Sequence, residues 1–298
     1  MADAAQAVVG RPTRPGELPP LAREGTVAAL AALLAGRRTL VLSGAGCSTD
    51  SGIPDYRDAG GQWKRRRPMQ LQEFVSSDHG RRRYWARSLV GWRRVAAARP
   101  GRAHRVLAHL EAAGLLGGVV TQNVDGLHQR AGSDAVIDLH GRLDAVECLH
   151  CQAVIDRARF QLALEAANPG WADLVASEAP DGDADLAGVD YAHFQVPGCG
   201  RCGGVLKPAV VFFGECVPQA RVAAVTRALH RADVLLVVGS SLMVWSGYRF
   251  VRAAVAAGTP VVCVGLGRTR GERELAFRVT GSCGEVLAEL AQRLQVAP

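Results

Sequence analysis

Short apolar runs of strand length recur along the chain: Thr39 to Ser43, Gly118 to Thr121, Ala209 to Phe213, Val234 to Gly239 and Pro260 to Val264. Between several of them lie Ala- and Leu-rich stretches of helical character: Thr26 to Leu34, Ala103 to Ala112, Arg221 to Arg231 and Tyr248 to Ala257. Glu285 to Leu294 closes the chain in the same way. Strands that alternate with helices predict an α/β fold, an open and mostly parallel sheet covered on both faces. In such doubly wound sheets ligands bind beyond the carboxyl ends of the strands. The polar residues gather there: Gly44 onward, Thr121 to His128, Gly239 to Leu242, and Gly265 onward.

Two segments break this rhythm. Residues 61–99 are rich in arginine and aromatics and read as a helical but irregular insertion; residues 142–206 carry paired cysteines and long loops. The sheet domain is therefore expected to comprise 26–60, 100–141 and 207–298, with 61–99 and 142–206 making a smaller second module. Residues 1–25, rich in Pro, Ala and Gly, lack a continuous apolar stretch and read as a disordered tail rather than a signal peptide.

Composition narrows this only a little. The 298 residues are 48% hydrophobic and 5% aromatic, which suits an aliphatic α/β core. The net charge of +7 comes from arginine, because Lys64 and Lys207 are the lysines. Its clusters, Lys64 to Arg67, Arg81 to Arg83 and Arg93-Arg94, read as solvated faces, and no nucleic-acid-binding module accompanies them, so nucleic acid is not an expected partner. No apolar run reaches membrane-span length, so a soluble protein with no membrane partner is expected.

Cysteine usage changes the picture more. Four of the eight cysteines form two Cys-x-x-Cys pairs, Cys148/Cys151 and Cys199/Cys202; Cys47, Cys216, Cys263 and Cys283 are scattered. Without a secretory signal, four thiolates point to tetrahedral zinc rather than disulfides. Such a site has no open coordination position, so the metal would hold structure. His150, inside the first knuckle, reads as a spacer.

Gly44-Ala45-Gly46 follows the first strand and suggests a phosphate cradle, but Thr49 stands where a dinucleotide fingerprint has its third glycine. The following "SGIPDYRDAGGQWKRRR" is no second strand with a ribose-binding acid, which argues against hydride transfer. "TQNVDGLHQRAG" (121–132) sets Asn123, Asp125 and His128 just past a strand, and "DLHG" sets His140 before a glycine. Either alone also fits an ordinary loop or a structural histidine.

Taken together and in order, the motifs resemble the sirtuin family. They are Gly44-Ala45-Gly46-x-Ser48-Thr49, Gly52-Ile53-Pro54-Asp55-Tyr56-Arg57, Thr121-Gln122-Asn123-Val124-Asp125, His140-Gly141, both cysteine pairs, "KPAVVFFGE" (207–215) and "GSSL" (239–242). The resemblance covers about residues 30–295. "DYR", "RRRYWARSLVGW", "APDGD", "FQVPGCGRCGG" and "GSSLMVWSGYRF" resemble the class II, mitochondrial-type members most.

The resemblance implies a Rossmann-like domain with a zinc-binding module, and an enzyme that removes acyl groups from lysine while consuming NAD⁺. It assigns Gly44, Ala45 and Gly46 to the pyrophosphate, by backbone N–H groups, within a cofactor region that includes Ser48 and Thr49. Asp55, Tyr56 and Arg57 belong to a loop closing over the nicotinamide ribose, and Gln122, Asn123 and Asp125 hold that ribose and the carboxamide. Gly239, Ser240, Ser241, Gly265, Gly267 and the backbone near Cys283 serve the rest of the cofactor. His140 and Asn123 are the catalytic pair. His140 acts as general base through the ribose hydroxyls, after the acyl oxygen has attacked C1′. The products are free lysine, nicotinamide and 2′-O-acyl-ADP-ribose.

An acyl-lysine peptide is expected as an added strand between Val210, Val211 and Phe212 on one side and Gly247 to Arg249 on the other. Two residues depart from the family pattern: Gly265 replaces a usual asparagine, and Ala209 a common aspartate. Tyr84-x-x-Arg87 has the spacing of a clamp for acidic acyl groups, though spacing alone is weak and a helical pair packing beneath the pocket is the favoured reading. Mono-ADP-ribosyl transfer, or an idle NAD⁺ or acyl-peptide sensor, are the alternatives. The expected location is a bacterial-type cytoplasm, with the mitochondrial matrix as the alternative.

Overall fold

The computed structural model describes residues 19–296 apart from 59, 61, 65–67, 175–176, 179–183 and 187. Residues 1–18 of the expected tail and Arg65 to Arg67 lie outside the described residues. In chain order the strands are β1 (Thr39–Ser43), β2 (Leu116–Thr121), β3 (Val136–Asp138), β4 (Gly141–Cys148), β5 (Val154–Asp156), β6 (Ser177–Glu178), β7 (Ala184–Asp185), β8 (Leu206–Val210), β9 (Val234–Val238), β10 (Val261–Val264) and β11 (Phe277–Val279). The helices are α1 (Val27–Leu34), α2 (Leu71–Ser76), α3 (Asp78–Ala97), α4 (Arg102–Ala112), α5 (Leu127–Arg130), α6 (Arg157–Ala167), α7 (Gln219–His230), α8 (Trp245–Ala256) and α9 (Cys283–Arg293).

Six strands form one parallel sheet in the order β11-β10-β9-β1-β2-β3. Every position of β1, β9 and β10 is buried, which is why these strands read as unbroken apolar runs rather than alternating ones. One face is covered by α1, α4 and α9, whose Leu30, Leu107, Leu110, Leu287 and Leu290 pack on Val41, Leu236 and Val262. The other is covered by α7 and α8, with Leu229, Phe250 and Val251 against Leu42, Leu235 and Val237. This is the expected doubly wound architecture.

The smaller module rests on a three-stranded antiparallel sheet, β5-β4-β8, and on α2, α3 and α6. Its core is aromatic: Phe74, Trp85, Phe160, Phe194 and Phe212 surround Val146 and Leu206. Residues 61–99, expected to be irregular, contain instead a regular helix of 20 residues, α3, capped by Ser77 Oγ accepting from the Gly80 N–H at 3.0 Å.

Two further expectations are corrected. The apolar run Ala209 to Phe213 does not enter the parallel sheet. The strand there is β8, shifted to Leu206–Val210, and it pairs antiparallel with β4. Pro208 within it lacks an N–H, and β8 is accordingly an edge strand. The expected tail is ordered from residue 19 on: Gly25 N–H donates to Arg278 O at 2.7 Å and Arg278 N–H to Arg23 O at 2.9 Å, placing Glu24 parallel to β11.

Candidate active site

The exits of β1, β2, β9 and β10, His140 and the turn after β8 line one cavity of about 500 Å³. At the β1 exit the glycines are set by close approach to the β9 exit. A Cβ on Gly44 would lie 2.7 Å from Ser240 Cβ, and one on Gly46 would lie 3.0 Å from Gly239 Cα. Gly239 is left-handed at φ +62°, and a Cβ there would lie 2.5 Å from the Cys47 amide nitrogen. Gly44 N–H donates to Val238 O at 2.9 Å and Gly46 N–H to Gly239 O at 2.8 Å. The expectation that both amides face a pyrophosphate therefore does not hold: they knit the two strand exits together.

Past β2, two side chains converge on Ser48. Asn123 Nδ2 donates to Gly44 O and to Ser48 Oγ, both at 3.0 Å, and the Ser48 hydroxyl donates to Asp125 Oδ2 at 2.7 Å. Asp125 Oδ1 accepts from the Leu127 N–H at 2.9 Å. Behind them His104 Nδ1 accepts from the Gly101 N–H at 3.2 Å, so its Nε2 carries the proton and faces Ser48 Oγ at 3.3 Å. Burial pushes the His104 pKa down to about 4, with Arg105 adding to the shift. Burial likewise lowers His128 to about 3, with His104 beside it. Both imidazoles are therefore neutral at ordinary pH. Gln122 Nε2 ties the β1 and β9 exits, donating to Ser43 O at 3.1 Å and Ser240 Oγ at 2.8 Å.

His140 is presented at the turn from β3 into β4. Its Nδ1 lies 2.8 Å from the Gln122 carbonyl oxygen, which can only accept, so Nδ1 carries the hydrogen. The lone pair is then on Nε2, which lies 2.7 Å from Ser246 Oγ. Burial lowers the His140 pKa; the bond to Gln122 opposes this, while Arg221 and Arg249 add to it. A neutral imidazole in a cavity wall, with its unprotonated nitrogen held by a hydroxyl, can take up a proton from that side.

Asp55, Tyr56 and Arg57 lie in a non-helical segment that forms part of the cavity wall. Lys64 pairs with Asp55, and the Arg57 guanidinium stacks 3.9 Å from the Trp63 ring centroid. Tyr56 and Trp63 both meet the Phe213 ring edge-on.

Gly44, Ala45, Gly46, Ser48, Asp55, Tyr56, Arg57, Gln122, Asn123, Asp125, His140, Val211, Phe212, Gly239, Ser240, Ser241, Gly265 and Gly267 all line the cavity. Thr49, Val210 and Cys283 do not: Thr49 donates to Gly46 O, Val210 stays in β8, and buried Cys283 opens α9. Tyr84 and Arg87 are also outside the wall. The Tyr84 ring packs at 5.2 Å from Trp85 and from Phe212, one ring removed from the cavity. Gly247 to Arg249 offer no strand edge, because they are the first turns of α8, where the Gly247 and Tyr248 N–H groups already donate to Val244 O.

Sequence reasoning missed Ser246, His104 and Lys207. Lys207 is buried, and its ammonium donates to Val210 O at 2.7 Å, beside Glu147 at 3.0 Å and Glu215 at 3.4 Å. Glu215 in turn accepts from the Phe212 N–H at 2.8 Å, fixing the turn that forms one cavity wall. Their presence in "KPAVVFFGE" was the available signal.

Outside the cavity wall, Cys148 and Cys202 sulfurs lie 3.6 Å apart and Cys151 and Cys199 sulfurs 3.7 Å apart, with all four within 4.8 Å of one another. Zinc–sulfur bonds of about 2.3 Å at tetrahedral angles require sulfurs about 3.8 Å apart, so the quartet fits zinc. Gly204 is needed there: a Cβ would lie 3.0 Å from Cys148 Sγ.

Comparison with known proteins agrees with this geometry. The Sir2 family model matches residues 44–246. A Xanthomonas campestris pv. campestris protein named NAD-dependent protein deacetylase is 59% identical over 256 residues, covering 86% of this chain and 87% of its own. A Bordetella bronchiseptica protein of the same name is 56% identical, covering 90% and 98%, and the Streptomyces coelicolor NAD-dependent protein deacetylase 1 is 50% identical, covering 95% and 96%. A solved Sir2 with a p53 peptide and NAD⁺ superposes with a TM-score of 0.70 at 29% identity, covering 90% of this chain and 98% of that one. With its doubly wound sheet, its converging asparagine, aspartate and histidine and its thiolate quartet, the chain belongs to the Sir2 family.

Proposed function

We infer that the chain is an NAD-dependent protein lysine deacylase that transfers the acyl group to ADP-ribose and releases nicotinamide. The observation that carries this reading is the convergence of Asn123, Asp125 and a neutral, tautomer-fixed His140 on one cavity at the carboxyl edge of the parallel sheet. The names and bound ligands of its relatives support it. In this reading Asn123 and Asp125 hold the nicotinamide ribose, Gly239 to Ser241 with Gly265 and Gly267 border the adenosine end, and the Asp55–Arg57 segment covers the bond to be broken. Nicotinamide leaves as the acyl oxygen takes C1′, and His140 takes up the ribose proton that frees an oxygen to attack the resulting imidate.

The peptide's edge is assigned to Val211 and Phe212 on one side. On the other it moves from Gly247–Arg249 to Met243 and Val244, which line the cavity just before α8, with Val244 extended at φ −87°, ψ 127°. Cys148, Cys151, Cys199 and Cys202 would hold zinc with no open coordination position, so the metal would lend rigidity to the small module and supply no chemistry. The Asp55-Tyr56-Arg57 and 239–250 segments support placement in the class II, mitochondrial-type branch. The bacterial source of its relatives favours a bacterial cytoplasm over the mitochondrial matrix.

The test is an acetyl-lysine peptide incubated with labelled NAD⁺. Free lysine with label in acyl-ADP-ribose is expected, and His140→Tyr removes both without altering the fold. Label accumulating on protein would instead favour ADP-ribosyl transfer.

A further inference from the structure

His140 lines the cavity, but its Nε2 lone pair is already engaged there by a neighbouring hydroxyl. The Nδ1–H is committed to the Gln122 carbonyl, so at the other nitrogen the Ser246 hydroxyl, 2.7 Å away, can only donate to neutral Nε2. Ser246 sits in the first turn of α8, which fixes its backbone, and it lines the same cavity as Asn123 and Asp125. A hydroxyl carries one donor and two acceptor lone pairs. Having given its hydrogen to Nε2, Ser246 Oγ still presents lone pairs to a hydroxyl bound in the cavity.

We propose that Ser246 is a catalytic relay: the sugar hydroxyl reaches His140 through Ser246 rather than by direct contact. This rests on the reading of His140 as the base. In one step the sugar O–H proton passes to Ser246 Oγ while the Ser246 proton passes to His140 Nε2. The sugar oxygen forms its bond to the imidate carbon, and the carbon–nitrogen π pair moves onto nitrogen. Serine ends as it began, and His140 ends as an imidazolium whose Nε2–H donates back to Ser246 Oγ. That charge-assisted bond is stronger than the resting one and favours the forward transfer.

The charges around the ring explain why the partner matters. Arg221 on α7 and Arg249 on α8 both act on His140, and both disfavour its protonated form. Ser246 Oγ, 2.7 Å from Nε2, is placed to accept from an imidazolium there.

The experiment compares wild type, Ser246→Ala, Ser246→Thr, His140→Ala and the His140→Ala/Ser246→Ala double variant, with circular dichroism confirming each fold. Single-turnover rates are followed with acetyl-lysine peptide and saturating NAD⁺, in water and heavy water. Ser246→Ala is expected to lower the acyl-transfer rate about 10- to 100-fold, with a KM for NAD⁺ within about twofold of wild type, since general-base assistance is worth about 10²- to 10⁴-fold and a water can stand in partly. Ser246→Thr restores the rate. The double variant is no slower than His140→Ala alone, because both act on one proton path. The proton inventory changes from more than one proton in flight to a different curve in Ser246→Ala. If His140→Ala is inactive but Ser246→Ala keeps the wild-type rate and isotope effect, the relay fails while the base assignment stands. If His140→Ala itself turns over normally, the base assignment fails and the relay with it.

Discussion

The two halves of the molecule are held together by different chemistry. The parallel-sheet domain is aliphatic: its central strands are buried at every position and are built mainly of Val and Leu, and its exits are joined backbone to backbone. The cysteine-bearing module has a small, aromatic core with two fully buried cations. Arg157 lies between Trp85 and Trp92 and donates to Gln161 and Ser88; Lys207 is held by Val210 O and two glutamates. Burial lowers the Arg157 pKa to about 10, which leaves it charged. The first half draws its stability from area removed from water, and the second from anchors that must each be satisfied.

The largest effect should come from the metal. Chelation, or Cys199→Ser, should unfold the small module and remove activity, because structural zinc contributes about 10 kcal/mol or more in small domains. Fluorescence of Trp85, Trp92 and Trp171 should shift to the red, while the helical signal of the sheet domain largely survives. Loss of both halves together would erase the contrast.

Next in size is Gly239→Ala, which acts on the aliphatic half through geometry alone. A left-handed φ and a contact of 2.5 Å to the Cys47 amide should cost about 3 kcal/mol, read as a lower urea midpoint. Lys207→Met should cost about 3 kcal/mol as well, by leaving Glu147, Glu215 and the Val210 carbonyl without their cation. Its added signature is a raised KM for the peptide and not for NAD⁺, because Lys207 braces the Val211–Glu215 turn.

Acid should act on the sheet domain through its buried histidines. His104 and His128 are neutral when folded, with pKa values of about 4 and about 3 against about 6.5 in the unfolded chain. Above pH 6.5 neither contributes a pH dependence. As pH falls below that value the unfolded chain takes up protons first, and stability declines until the folded pKa is passed. For His104 this amounts to about 3 kcal/mol by pH 4. His104→Gln should flatten the slope of urea midpoint against pH in that window. The smallest effect is Tyr84→Phe: its ring is outside the cavity wall, so the ratio of acetyl- to succinyl-peptide rates should stay within about twofold.

What was legible in the sequence follows the same division. β1, β9 and β10 could be read almost to the residue because burial on both faces leaves unbroken apolar runs. Cys148, Cys151, Cys199 and Cys202 could be read because metal ligation fixes spacing. The run Ala209 to Phe213 misled, since a buried edge and a buried centre share one composition; Pro208 was the clue. The glycines at 44 and 46 were found for the wrong partner, because close approach to Gly239 and to a phosphate leave the same residue. Ser246 carried no pattern, being a short polar residue in a helix's first turn, where serine is common for local reasons. Its meaning lies in a ring nitrogen 106 positions away in the chain.

The short segment laid along β11 has a practical consequence. A parallel sheet ends in an unpaired row of amides and carbonyls, and here Arg23 and Gly25 occupy that row while Glu24 reaches Thr280 and Arg278. Trimming the chain to start at α1, as its helical pattern would invite, strips this margin. It would leave a bare strand edge open to pairing with another molecule, so aggregation is the hazard of a shortened version.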